Sequence, residues 1–199
     1  GTFSPYGGNW SNYFDGTGDM LGLAPNTALD LTGDFTIEAW VNTTGTGGFI
    51  INKGGGSNIA WASYELLVSG TDIWFAASSA NNGYDIGGEN ATGKIGSFTP
   101  GQWTHVAVTR SGNIYRGFVN GVQGYTQTLA LTPYTTSARG LNIGASYQNS
   151  WGVVGNIYQL LTGYISNLRI VKGTAVYTSA FTPPTTPLTP ITNTSLLTC

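Results

Sequence analysis

Few side chains in this sequence could do acid–base or nucleophilic chemistry. Its 199 residues hold three glutamates, Glu38, Glu65 and Glu89, and one histidine, His105. Glycosidic cleavage uses two carboxyl groups about 5 to 9 Å apart, one as acid and one as nucleophile or base. Here the glutamates are far apart in sequence: Glu38 lies between Ile37 and Ala39, Glu65 in the run Tyr64 to Val68, and Glu89 in a polar loop. Glu38 reads as a structural carboxylate near a strand edge, since polar residues in sheets are mostly hydrogen-bonded parts of the fold. A lone histidine builds no histidine-based metal cluster, and a Ser-His-Asp triad would depend on it alone. Alternation sets His105 beside Trp103, Ala107 and Thr109, where a packed, hydrogen-bonded strand histidine is expected. Catalysis is therefore not expected.

Binding chemistry is better represented. A sugar ring needs a flat aromatic face for its C–H side, with amides, carboxylates or backbone groups for its hydroxyls. Among six tryptophans, Trp10, Trp40, Trp74 and Trp103 lie in strand-like runs and are expected in the core, whereas Trp61 and Trp151 lie in loops. Trp151 with Tyr147 and Asn149 is the first carbohydrate-binding candidate, and Asn58, Trp61 and Tyr84 are secondary ones. A loop tryptophan can equally close one end of a sandwich or pack on a neighbouring domain. Calcium takes six to eight oxygens from carboxylates, amides and backbone, and glycine-rich loops can supply them. Asp85 and Glu89 are the first candidate ligands, with Asp15, Asp19 and Asp72 weaker. The alternative for all five is a turn residue capping local amides.

Composition limits the partners. Seven Lys+Arg against nine Asp+Glu give a net charge of -2, so a dense basic face for phosphate is missing and nucleic acid is not expected. At 40% hydrophobic and 13% aromatic the chain should fold as a packed globule rather than stay disordered. The single cysteine, Cys199, allows no internal disulfide. No run approaches the about 18 apolar residues of a membrane helix, and Gly1 to Pro5 do not resemble a signal peptide. Such a segment was removed, or the chain is cut from something larger. A surface solvated by Asn, Thr and Ser suggests an extracellular or particle-surface setting.

The elements that must position these residues are strands. Phe35, Ile37, Ala39 and Val41 alternate with Thr36, Glu38 and Trp40, the signature of a half-buried strand. Further strands are expected at Tyr64 to Val68, Ile73 to Ala77, Trp103 to Arg110, Ile114 to Asn120, Leu141 to Gly144 and Tyr164 to Val171, with Ser195 to Cys199 pairing late. Ser69-Gly70-Thr71-Asp72 and Ser111-Gly112-Asn113 supply turns, and Asn120-Gly121 suits a type I′ turn. A helical turn is expected near Thr174 to Ala180. Residues 182–194, rich in Pro and Thr, read as an extended strap before the last strand. Asn81 to Gly96 and Ser146 to Gly155 read as surface loops.

Five stretches carry a family resemblance: Gly33-Asp34-Phe35-Thr36-Ile37-Glu38-Ala39-Trp40-Val41, the Trp103-Thr104-His105-Val106-Ala107 strand, Val119-Asn120-Gly121, Leu141-Asn142-Ile143-Gly144, and Gly163 to Val171. In this order they resemble laminin G-like domains of the concanavalin A-like lectin/glucanase superfamily. That resemblance implies one domain over 1–199, an all-β jelly-roll sandwich of two antiparallel sheets. Some relatives are glycoside hydrolases with an E-x-D-x-x-E word on one strand, which this sequence lacks. Several laminin G-like domains bind calcium at one rim. The ends, Phe3 to Phe14, Lys172 to Thr178 and Thr194 to Cys199, resemble repeat units of long structural proteins of marine bacteriophages, especially cyanophages. This resemblance implies a virion or extracellular module that binds bacterial surface glycans or neighbouring domains of the same protein, without inserting into a membrane.

Overall fold

In the computed structural model the described residues are 4–54, 61–88, 92–136, 138–147 and 157–198, with backbone alone at 147, 157 and 158. They form sixteen strands in chain order: β1 (Asn12–Asp15), β2 (Leu21–Leu23), β3 (Phe35–Thr43), β4 (Gly47–Lys53), β5 (Tyr64–Ser69), β6 (Asp72–Ala77), β7 (Ile86–Gly87), β8 (Lys94–Ser97), β9 (Thr104–Ser111), β10 (Ile114–Val119), β11 (Val122–Thr128), β12 (Leu141–Ile143), β13 (Ser146–Tyr147), β14 (Ile157–Tyr158), β15 (Thr162–Lys172) and β16 (Thr194–Leu197). One 3-10 turn spans Thr27–Leu29. The first sheet runs β1-β15-β3-β9-β10-β11, with β16 also on β15. The second runs β2-β12-β4-β5-β6-β7, with β8 also on β6, and β13 pairs β14. All pairings are antiparallel.

Alternation builds the sandwich. Phe35, Ile37, Ala39 and Val41 of β3 meet Tyr64, Leu66 and Val68 of β5 and Ile73, Phe75 and Ala77 of β6 in one apolar layer between the sheets. Each larger aliphatic or phenyl side chain among them contributes roughly 1.5–3 kcal/mol when withdrawn from water. Lys53 faces this layer but is fully buried, with Nζ 2.8 Å from Asp30 Oδ1. At that distance the two buried charges compensate each other. The type I′ turn forms as expected, with φ of 49° at Asn120 and 76° at Gly121.

Sequence periodicity missed β4, because the run Phe49-Ile50-Ile51 spans a register shift against β5 that breaks alternation. The expected helical turn at Thr174 to Ala180 is not formed. Its backbone groups bond sideways to the sheet: the Val176 N–H donates to Thr36 Oγ1, and the Thr174 and Tyr177 carbonyls accept from Thr36 and Thr109 hydroxyls. The two polar stretches read as loops contribute β7, the start of β8 and β13.

Residues 173–193 cross the outer face of the first sheet as a strap. Glu38, His105 and Arg169 lie beneath it, all at most 5% exposed. Glu38 Oε1 accepts from Arg169 Nε at 2.9 Å and from Nη2, while Oε2 accepts from the Tyr177 hydroxyl at 2.7 Å and lies 3.2 Å from His105 Nε2. Arg169 Nη1 reaches back to the Thr189 carbonyl. The Tyr177 and Phe181 rings stack 3.6 Å apart, and His105 meets both edge-on. A Cβ at Gly121 would come within 1.8 Å of the Phe181 carbonyl oxygen, so the turn needs glycine both for its φ and for the passing strap. Glu38 and His105 are thus packed and hydrogen-bonded between the sheet and the strap.

Candidate functional site

The second sheet carries a different outward row. Leu141 and Ile143 point into the core, so Asn142 between them faces away, in register with Gly22 of β2 and Asn52 of β4. Asn52 is in turn opposite Glu65, Glu65 opposite Ala76, and Ala76 opposite Gly87. Three adjacent strands therefore place Asn142, Asn52 and Glu65 side by side, each at most 1% exposed. Glu65 Oε2 accepts from Asn52 Nδ2 at 2.9 Å and from the Tyr84 hydroxyl at 2.6 Å, and Asn52 Oδ1 accepts from Ser146 Oγ at 3.0 Å. The Asn142 carboxamide has no hydrogen-bond partner among the described residues on either its nitrogen or its oxygen.

At the end of this row the network reaches solvent. Trp61 packs edge-on against Tyr84 with ring centroids 4.9 Å apart, and 45% of its surface is exposed. Its carbonyl accepts from the Tyr134 hydroxyl at 2.8 Å, and Ser63 Oγ donates to the Tyr134 carbonyl at 2.6 Å. Burial raises the Tyr134 phenol above its usual 10.0, while nearby Arg139 pulls it down. The phenol therefore stays a donor through neutral pH. The exposed ring thus rests on a tyrosine whose hydroxyl is fixed by a buried carboxylate.

Of the carbohydrate candidates read from the sequence, Trp61 and Tyr84 are brought into contact. Tyr147 contributes backbone to β13, and Trp151, Asn149 and Asn58 lie outside the described residues. Asp85 turns both carboxylate oxygens to Ser79, one on its N–H at 2.8 Å and one on its hydroxyl, the cap geometry of a local turn. Glu89 lies outside the described residues. Asp15 accepts from Thr17, and Asp72 from Ser97 and Lys94. No three His, Cys, Asp or Glu side chains gather as a metal cluster among the described residues. Among these residues, too, no helix is long and apolar enough to cross a membrane.

Glu38 and Glu65, the glutamates within the described residues, sit on the outer faces of opposite sheets. The sandwich separates them, so they do not form the paired carboxylates of a glycosidase. The tryptophans expected in the core are displaced from it. Trp40, Trp74 and Trp103 are half-buried, and Trp10 is 79% exposed. Trp40 and Trp74 occupy outward positions of their strands, where alternation excludes them from the layer between the sheets.

Comparison with known proteins fits this architecture. The laminin G family model described as the concanavalin A-like lectin/glucanases superfamily matches residues 9–178. The chain belongs to this superfamily. Among solved structures of the fold, domain 4 of AbnA, an extracellular GH43 arabinanase of Geobacillus stearothermophilus in complex with arabinotriose, is 19% identical with a TM-score of 0.56, over 84% of this chain and 73% of that one. The CBM40 of Ruminococcus gnavus IT-sialidase, bound to α2,3 sialyllactose, is 13% identical with a TM-score of 0.55, over 78% and 86%. Domains LG4-5 of the mouse laminin α1 chain are 16% identical with a TM-score of 0.54, over 80% of this chain and 40% of that one. The chain thus spans less than half of the laminin fragment. No curated protein sequence matches it.

Proposed function

We propose that this chain is a non-catalytic carbohydrate-binding module. The observation that carries the reading is Trp61: a half-exposed indole fixed through Tyr84 to buried Glu65, at the end of a polar row on the face the strap leaves alone. Such a ring offers a sugar a flat apolar surface already held in place, so little side-chain entropy is lost on binding. Two similar structures are named in complex with arabinotriose and sialyllactose, which supports the same use of this fold. The separation of Glu38 from Glu65 supports binding without cleavage. The ends of the sequence support a place in a phage virion protein, where each shallow site would gain avidity from tandem copies on bacterial surface glycans.

The test is a glycan-array screen of the folded protein, with host envelope polysaccharide included, in calcium and in chelator. Trp61→Ala should weaken binding at least about tenfold while moving the melting temperature little, because its ring is largely outside the core. Equal binding by wild type and variant would remove Trp61 from the site. Silence of the wild type would favour a structural spacer contacting neighbouring domains. Binding lost on chelation would assign calcium to the site, with Asp85 and Glu89 as the acids to substitute first.

A further inference from the structure

A second aromatic position lies on the other sheet. Strand β15 carries two short strands on one edge: β1 pairs with residues 162–165 and β16 with residues 169–171. Between them β15 is irregular, with a register shift against β3 between Ser166 and Arg169 and Asn167 at φ 53°. This bulge opens a notch of about 350 Å³ lined by Asn9, Trp10, Asn167, Leu188, Leu197 and neighbouring residues. Trp10 stands at its wall, 79% exposed. The walls are tied together: Ser166 Oγ donates to the Trp10 carbonyl at 3.2 Å and accepts from Asn167 Nδ2 at 2.7 Å, while Asn167 Oδ1 accepts from the Leu188 N–H at 2.7 Å.

We propose that this notch is a second glycan-binding site, independent of the Trp61 row, that stacks a neutral pyranose on Trp10. The volume lies at the small end of the range for small-ligand clefts, about 300–1,000 Å³. Among the described residues no charged side chain lines it, and its polar side chains are two amides and a hydroxyl, which suit sugar hydroxyls rather than a carboxylate or phosphate. An extended peptide cannot add here as a further strand, because β1 and β16 already occupy the β15 edge on either side of the bulge. With the Trp61 row on the other sheet, one module would hold two sugars at separate places and gain avidity within a single chain.

The test follows indole N–H resonances of the 15N-labelled protein during titration with neutral hexasaccharides of glucose, mannose, galactose and xylose. The Trp10 signal should move with its own saturation curve, persist in Trp61→Ala, and vanish in Trp10→Ala with at least about tenfold weaker binding at that site. Trp10→Tyr should recover part of that binding. A Trp10 signal unmoved by all four sugars overturns the proposal, and if Trp61 responds in the same titration the first site stands without the second. A Trp10 signal that moves with protein concentration alone makes the notch a contact between copies and overturns it as well.

Discussion

Substituting Glu38 by Gln tests whether the strap is latched by charge. The change keeps the side chain's shape but leaves the Arg169 guanidinium, 5% exposed, without its counter-ion and sets an amide N–H against donors that now meet an acceptor. Breaking one partner of a buried pair costs about 3–5 kcal/mol. For a domain of this length each kcal/mol lowers the melting temperature by roughly 2–4 °C, so a fall of about 6–20 °C is expected. Urea midpoints give the free energy, and limited proteolysis shows where it is lost: residues 174–190 should be cleaved before the rest of the chain. Glu38→Met combined with Arg169→Leu should recover most of the stability, because no charge is then stranded. A loss under about 1 kcal/mol with the strap still protected would refute the latch, since a loss that small is what exposed pairs give.

Three further outcomes follow from individual contacts. Burial would raise the Glu38 carboxyl, but the His105 hydrogen bond, the Arg169 charge and the Tyr177 hydroxyl overcome it and hold the group below its ordinary 4.5. A depressed acid stabilises the fold fully above its unfolded value and loses that contribution as pH falls through the folded one. The stability gap between wild type and Glu38→Gln should therefore be constant near neutrality and shrink below about pH 4.5, and a gap that widens on acidification would contradict the assignment. Gly144→Ala should cost at least about 2 kcal/mol by urea denaturation, because its φ is +83° and the new Cβ would lie 2.2 Å from the buried Phe14 ring. Tyr84→Phe should cost about 1–2 kcal/mol by removing the donor to buried Glu65, and should weaken glycan binding by loosening Trp61.

Much of the fold could be read from the sequence, and the site less so, for one physical reason. Alternation states which side of a strand a residue takes, and that placed Phe35, Ile37, Ala39 and Val41 inside and Glu38 outside. It does not state what covers the outside. Trp40 and Trp10 both read as core. Trp40 is half-buried between Tyr6 and His105, while Trp10 stands in solvent beside a bulge that no periodicity announces. Trp61 and Tyr84 are 23 positions apart in the numbering and meet only because β5 and β6 form a hairpin beneath them. The row from Asn142 to Glu65 was harder still to read, since it sets β12 beside β4 and β5, strands distant from β12 in sequence. Its available signal was the polar residue set between apolar neighbours at Asn142 and at Glu65, whereas Asn52, between Ile51 and Lys53, carried none.

The strap makes the two outer faces of the sandwich unequal. A two-sheet sandwich has two outer faces, and either can take a ligand where its polar groups are open to solvent. Here the family match ends at residue 178, within the strap, while the chain continues across the first sheet to β16. The carbonyls of Thr174, Tyr177 and Thr189 engage Thr36, Thr109 and Arg169, polar groups of the first sheet, so the part of that face under the strap is committed to the chain's own backbone. On the second sheet, Asn142 keeps an amide unpaired among the described residues and Trp61 stays half in solvent. A buried amide without partners costs stability that a sequence selected for folding alone would remove, for instance with an apolar side chain of similar size. Its retention in the row that leads through Asn52, Glu65 and Tyr84 to the exposed Trp61 supports the glycan site proposed on the second sheet. Asn142→Leu should accordingly raise the urea midpoint and lower glycan affinity together, whereas a midpoint that falls would show the amide to be a structural group bridged by water.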